Sequence, residues 1–222
     1  MQLEHWLGLG SIAFFVLFVL VVSSLLIKLN QSYWNRRYEN NQTGWDIGKI
    51  SPAIELWFNK QEKKDLKILI PGSGYGHEVA YAHKMGFYNT FYLDLSPLAA
   101  KHFRENHPQI PEENILIGDF FSLKKNNFFD VIIEQTFFCA LPLSSRSLYV
   151  NKTHELLNEH GILIGLLFNI TFDGDEPPYG GDSKLYKKLF EYKYHFIEMD
   201  LSTNSIPPRQ GSELWVEMKK KN

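Results

Sequence analysis

ILIPGSGYGHE (68–78) decides how the rest of this chain is read. An apolar run that reads as a buried strand, LKILI (66–70), breaks at Pro71 into glycines at 72, 74 and 76. An amphipathic helix pattern then begins at His77 and stops at Gly86. Glycines at such a strand-to-helix turn permit positive φ and let backbone approach a ligand closely. A triphosphate-binding loop would need a Lys-Ser/Thr pair after the last glycine, and none follows. A dinucleotide fingerprint counted from Gly72 would want its third glycine where His77 stands. The tighter spacing suits a ligand without a pyrophosphate.

Strands and helices alternate downstream. TFYLDLS (90–96) reads as a second strand ending at Asp94, after which Ser96 caps a helix with Pro97 in its first turn. NILIGD (114–119), FFDVIIEQT (128–136) and ILIGLLF (162–168) read as strands three to five. SRSLYVNKTHELLNEHG (145–161) reads as a helix closed by Gly161, and SKLYKKLFEY (183–192) as another. HFIEMDLS (195–202) and SELWVEMKK (212–220) read as a terminal antiparallel pair. Such alternation predicts an α/β fold with a mostly parallel sheet covered on both faces. Ligands of these sheets bind beyond the C-terminal ends of the strands.

Two acids stand at such ends. Asp94 comes about 20 residues after the loop, where a carboxylate accepts ribose hydroxyls. Asp119 ends strand three, where it can take an adenine amino proton while the neighbouring Phe120 covers the ring. Either acid alone reads equally as a helix cap. Glycine loop, Asp94 and Asp119 in this order point to an adenosine-containing ligand.

Composition bounds the alternatives. The chain has 222 residues, 44% of them hydrophobic and 15% aromatic, enough for one core. A net charge of -2 leaves no nucleic-acid footprint. Cys139 is the single cysteine, so no internal disulfide can form. His77 and His83 lie off helical ligand spacing and no zinc signature occurs, so no metal is expected. Residues 1–30 form a separate unit. From Trp6 to Ile27 no residue is charged, a run of about 22 residues that would span about 33 Å as a helix. Lys28, Arg36 and Arg37 follow it, which predicts a single-pass membrane anchor with the domain 31–222 on the cytoplasmic side. A cleaved signal peptide would want basic residues before the run, and the first five residues have none. A buried core helix would show a polar stripe.

From Trp34 to the C-terminus the chain resembles the thiopurine methyltransferase superfamily, and within it the halide/thiol methyltransferase branch. The resemblance rests on WNRRYENNQTGWDIG (34–48), ILIPGSGYGHE, YLDLSPLA, GDFF (118–121), IIEQTFFCALP (132–142), PPYGG (177–181) and NSIPPRQGSEL (204–214). It implies a Rossmann-like class I methyltransferase with a seven-stranded sheet, S-adenosyl-L-methionine as cofactor and a small-molecule acceptor: a thiol, hydrosulfide or halide. It carries cofactor contacts onto Trp34, Trp45, Gly72, Gly74, Gly76, Asp94, Asp119, Phe120 and Gln135. It also carries one onto Tyr38, where many members have Trp. Tyr179 falls where the branch has a tyrosine near the acceptor, and reads otherwise as a turn residue. Class I enzymes commonly have an acid at the position of Ile70, a departure this superfamily shares.

Methyl transfer from a sulfonium needs orientation and exclusion of water more than acid–base help. Thiolates are soft nucleophiles partly ionised near neutrality. Aromatic faces suit the positive sulfur. Phe137 and Phe138 read equally as pocket or core, Cys139 as a small buried hydrophobe, and Arg209 as an anion attractor or a solvated loop residue. Two other readings stay open on residues alone: a dinucleotide-dependent oxidoreductase, and an inactive membrane-tethered binding module.

Overall fold

The computed structural model describes residues 29–222. The predicted anchor, Trp6–Ile27, lies outside the described residues; among those described, no helix is long and apolar enough to cross a membrane. Seven strands, β1 (Ile68–Pro71), β2 (Thr90–Asp94), β3 (Ile115–Ile117), β4 (Phe129–Gln135), β5 (Leu157–Phe168), β6 (Tyr194–Leu201) and β7 (Glu213–Lys220), form one sheet in the order β3-β2-β1-β4-β5-β7-β6. The first five are parallel, and β7 runs antiparallel between β5 and β6. The strand order reverses between β1 and β4, which puts the glycine loop at the switch point.

Six α-helices among the described residues flank the sheet: α1 (Gln31–Glu39), α2 (Pro52–Lys60), α3 (His77–Lys84), α4 (Pro97–Asn106), α5 (Arg146–Leu156) and α6 (Ser183–Phe190). Alternation along the strands sorts the core into two layers. Ile68, Ile70, Val131 and Ile133 pack with Ile54, Phe58, Val79 and Phe103 on the face of α2, α3 and α4. Leu69 and Ile132 pack with Tyr149, Tyr186 and Phe190 on the face of α5 and α6. Both faces of the inner strands are dry, which is why they read as continuous apolar runs.

Three differences from the sequence reading have physical causes. The helix expected to close at Gly161 ends at Leu156, because Leu157 already pairs with Phe129 of β4. The chain then bulges before register resumes at Val131 and Ile162. Asn158 donates to Asp130 inside this bulge, and Lys220 donates to the Leu157 carbonyl, so tertiary partners outbid the helical pattern. Strand three is only Ile115–Ile117, since Asp119 turns its side chain back to cap a short 3-10 turn. The sequence reading places no element over 31–60, where α1 and α2 form, although α2 buries Ala53, Ile54, Trp57 and Phe58 at helical spacing. None of the α1 residues is buried, and a cap from Asn30 starts it.

Candidate active site

The glycine loop is bolted to β2. The Ser73 amide donates to the Leu93 carbonyl (3.0 Å), and the Leu93 amide donates to Ser73 Oγ (3.2 Å). Tyr92 Oη donates to the Gly74 carbonyl at 2.8 Å. Asp94 accepts the Gly74 amide at 2.9 Å with one oxygen and the Ser96 amide at 2.8 Å with the other. Its carboxyl is buried, and burial pushes its pKa up to about 6, against the pull of those amides. Gly72 (φ 63°) and Gly74 (φ 55°) lie in the left-handed region. A Cβ at Gly72 would press on the Phe137 ring, and one at Gly74 on the Tyr38 hydroxyl. Gly76 (φ 75°) is left-handed too, and it also serves helix packing. A Cβ there would overlap Phe103, so its absence lets α3 approach α4.

Trp45, Ile70, Gly72, Gly74, Gln135 and Thr136 line an open cleft of about 440 Å³ counted out to its mouth. Trp34 and Tyr38 do not line it. Each stands edge-on to Trp45, with ring centroids at 5.5 and 5.6 Å, and so buttresses it. Arg37 stacks over Trp45 from another side, 5.8 Å from the ring centroid. Burial raises the Tyr38 phenol far above its ordinary range, so it stays neutral. Asp94 and Asp119 do not line the cleft either; Asp119 is exposed at the end of β3 and accepts the Phe121 amide and the Ser122 hydroxyl. Phe120 is 3% exposed and stacks on Tyr149, in the core.

Several parts of the site were not read from sequence. Asp46 accepts from the Gly48 amide and pairs with His77 at 2.8 Å, and buried Glu78 accepts the Ser51 amide. These bonds tie the segment after Trp45 to α3. Arg209 is half-buried. It donates to the Trp45 carbonyl at 2.8 Å and pairs with Glu213, which is 3% exposed. Thr136 has φ 57°, an uncommon backbone state for a β-branched residue. It lines both the cleft and a more enclosed second cavity formed with Glu134, Phe138, Cys139, Phe168, Tyr186 and Glu213. Burial raises the Cys139 thiol well above its ordinary range, which favours the neutral thiol. Tyr179 is half-buried beside this cavity. Its amide donates to the Cys139 carbonyl at 2.7 Å and its hydroxyl to the Asp175 carbonyl of its own loop.

The Thiopurine S-methyltransferase (TPMT) family model matches residues 29–220. The chain belongs to the thiopurine S-methyltransferase family. It is therefore an S-adenosylmethionine-dependent methyltransferase, and the dinucleotide oxidoreductase reading falls away. Among its relatives is a probable thiol methyltransferase of Arabidopsis thaliana, 29% identical over 196 residues, 84% of either chain. Thiocyanate methyltransferase 1 of the same plant is 29% identical over 194 residues, 85% of either chain. Thiopurine S-methyltransferase of Vibrio campbellii is 25% identical over 199 residues, 80% of this chain and 90% of that protein. The fold is shared with a crystallised Burkholderia thailandensis 1,6-didemethyltoxoflavin-N1-methyltransferase (TM-score 0.71, 14% identity, covering 90% of this chain and 89% of that one).

The residues of the cleft have the chemistry to hold that cofactor. Gln135 Oε1, a buried acceptor at the cleft, has no hydrogen-bond partner among the described residues. It calls for a donor such as an ammonium or a hydroxyl. Trp45 gives the same cleft an aromatic wall, and no cluster of metal-ligating side chains occurs among the described residues.

Replacing Asp94 by Ala removes the acceptor that holds the Gly74 and Ser96 amides. S-adenosylhomocysteine affinity, measured by titration calorimetry, should fall about 10- to 100-fold, or roughly 1.5–3 kcal/mol. Wild-type affinity should also fall as pH drops through about 6, where Asp94 protonates, and D94A should lack that step. Unchanged affinity in D94A would refute the role.

Proposed function

We propose that this enzyme methylates a small soft nucleophile (a thiol, hydrosulfide or halide) held in the second cavity. The observation that carries this reading is Arg146. The residue is 4% exposed and does not itself line the cavity, but its guanidinium stacks over Phe138 and Tyr186, both of which do. Nη2 donates to the Tyr179 and Gly180 carbonyls, while Nε and Nη1 have no hydrogen-bond partner among the described residues. No carboxylate is within ion-pair distance in the described residues. A buried cation with bare donors and aromatic neighbours favours an anionic, weakly hydrated acceptor. The names of the plant relatives, thiol and thiocyanate methyltransferases, point the same way.

When bound, S-adenosylmethionine supplies a methyl group on a cationic sulfur that departs as a neutral thioether. The chain's residues then have to bind, orient and keep water out. In this reading Gly72 and Gly74 lay their backbone along the methionine and ribose portions, and Asp94 accepts from the ribose with the lone pairs its two amides leave. Gln135 Oε1 accepts from the α-ammonium. Trp45, braced by Trp34 and Tyr38, covers the sulfonium side. Asp119 accepts from the adenine amino group, with Phe120 backing that wall from the core. Gly76 acts through helix packing rather than contact. Tyr179 and its loop close the acceptor side above Cys139. No general acid is required, because the departing sulfur carries no charge.

We also propose that Trp6–Ile27 anchors the enzyme to a membrane with the catalytic domain in the cytoplasm. The uncharged run and the basic residues that follow it support this. The first described helix starts at Gln31, and its Tyr38 touches the glycine loop, so the proposed anchor lies close in sequence to the cleft. The full chain should remain in the membrane pellet after alkaline carbonate extraction; release into the supernatant would overturn the anchor.

Turnover of hydrosulfide, an alkyl thiol, iodide, thiocyanate and a thiopurine, measured under identical conditions, tests the acceptor class. Transfer to at least one soft anion or thiol is expected, and R146L should lower its kcat/KM by about 100-fold. Cofactor binding without any turnover would instead favour an inactive tethered module.

A further inference from the structure

Glu134 is the least expected residue of the chain: an acid near the end of an inner parallel strand, 1% exposed. One carboxylate oxygen accepts two successive amides, those of Phe137 and Phe138, each at 2.8 Å. The other accepts the Tyr149 hydroxyl at 2.7 Å, from α5. Between Glu134 and those amides the chain passes through Gln135, with its unpaired acceptor in the cleft, and Thr136, in its left-handed conformation. Thr136 faces both cavities. The strained turn is therefore the shared wall of the two spaces, and Glu134 is the group that satisfies its amides. Phe137 presses on Gly72 from the same turn, so a shift there also reaches the glycine loop.

We propose that Glu134 is a positioning residue for methyl transfer, fixing the 135–138 turn and with it the distance and angle between the acceptor cavity and the cofactor cleft. The inference rests on the acceptor-cavity reading above. A misplacement of about 1 Å at such a wall is enough to cost about 100-fold in rate.

The charge of Glu134 gives a readout that simple packing would not. Burial pushes its pKa up to about 7, despite the Tyr149 hydroxyl and the two amides that pull it down. Of the other groups facing it, the phenols and the thiol do not titrate near neutrality. Burial raises Tyr149 and Cys139 far out of range, and raises Tyr186 to about 12. Across the cavity Glu213 is paired with Arg209, and Arg146 stays cationic although burial lowers it. As pH falls through about 7, Glu134 gains a proton, an oxygen becomes a donor, and the grip on the turn weakens. The stability effect has the opposite sign: because the folded pKa is raised above the ordinary value of 4.5, burying the charge costs stability as pH rises from about 4.5 to 7.

The test compares wild type, E134L and E134Q, with the acceptor that wild type turns over fastest. E134L leaves the two amides without an acceptor; its kcat should fall about 100-fold, well beyond any loss of S-adenosylhomocysteine affinity passed on through Gln135 and Gly72. E134Q keeps an acceptor but no charge. It should recover kcat to within about tenfold of wild type, be no less stable at pH 8, and lack the activity loss near pH 7. The acceptor's own ionisation is common to all three proteins and cancels in the ratio of variant to wild type. A folded E134L with wild-type kcat would overturn the inference. So would a flat E134Q to wild-type ratio across pH 6–8, a comparison that stands even if E134L fails to fold. Absence of wild-type turnover on every soft nucleophile would instead defeat the acceptor reading on which the inference rests.

Discussion

Asp94 accepts the Gly74 and Ser96 amides with its two oxygens, so one side chain fixes both the glycine loop and the first turn of α4. The bonds are charge-assisted and dry, and each is worth more than a surface equivalent. The constraint spreads outward. Ser73 and Tyr92 lock the same loop to β2, and the loop then offers its glycine surface to Tyr38 and Phe137. Without a pinned loop neither wall of the cleft would have a fixed partner.

The cleft is assembled from distant parts of the chain. Arg209, near the C-terminus, holds the carbonyl of Trp45 and neutralises Glu213. His77 holds Asp46, and Asn35 of α1 shares a hydrogen bond with Ser96. The terminal segments thus converge on the central switch point between β1 and β4. Acids play the organising role throughout: Asp94, Glu78 and Glu134 each accept backbone amides from a segment that regular pairing leaves unsatisfied. Burying these carboxylates is expensive, and the expense is concentrated where the backbone must hold a non-helical, non-sheet path.

The strand-end logic of the fold was legible in sequence because inner parallel strands are continuous apolar runs broken by glycine, proline or acid. ILIP, TFYLD and FDVIIEQ all fell within a residue or two of where they read. The cap at Ser96 was equally readable, and its hydroxyl accepts the Ala99 amide. What could not be read depends on long-range partners. The break at Leu157 follows from pairing with Phe129, and Arg209 is decided by Trp45 and Glu213, neither visible in a local window. Glu134 did leave a signal, a charge inside an apolar strand, which is a place where a buried acid demands a specific partner. Trp34, Tyr38, Gly76, Asp94, Asp119 and Phe120 were legible as site positions, but none of them is among the residues that line the cleft.

The two cavities meet at Thr136, and that junction is the point at which donor and acceptor would have to face each other. A crystal structure of the complex with S-adenosylhomocysteine tests this most directly. The expected result is the thioether sulfur in van der Waals contact with the Gln135–Thr136 turn and directed toward Cys139 and Arg146, with the ammonium on Gln135 Oε1. A ligand whose sulfur points away from the second cavity, or which leaves Gln135 without a partner, would contradict it.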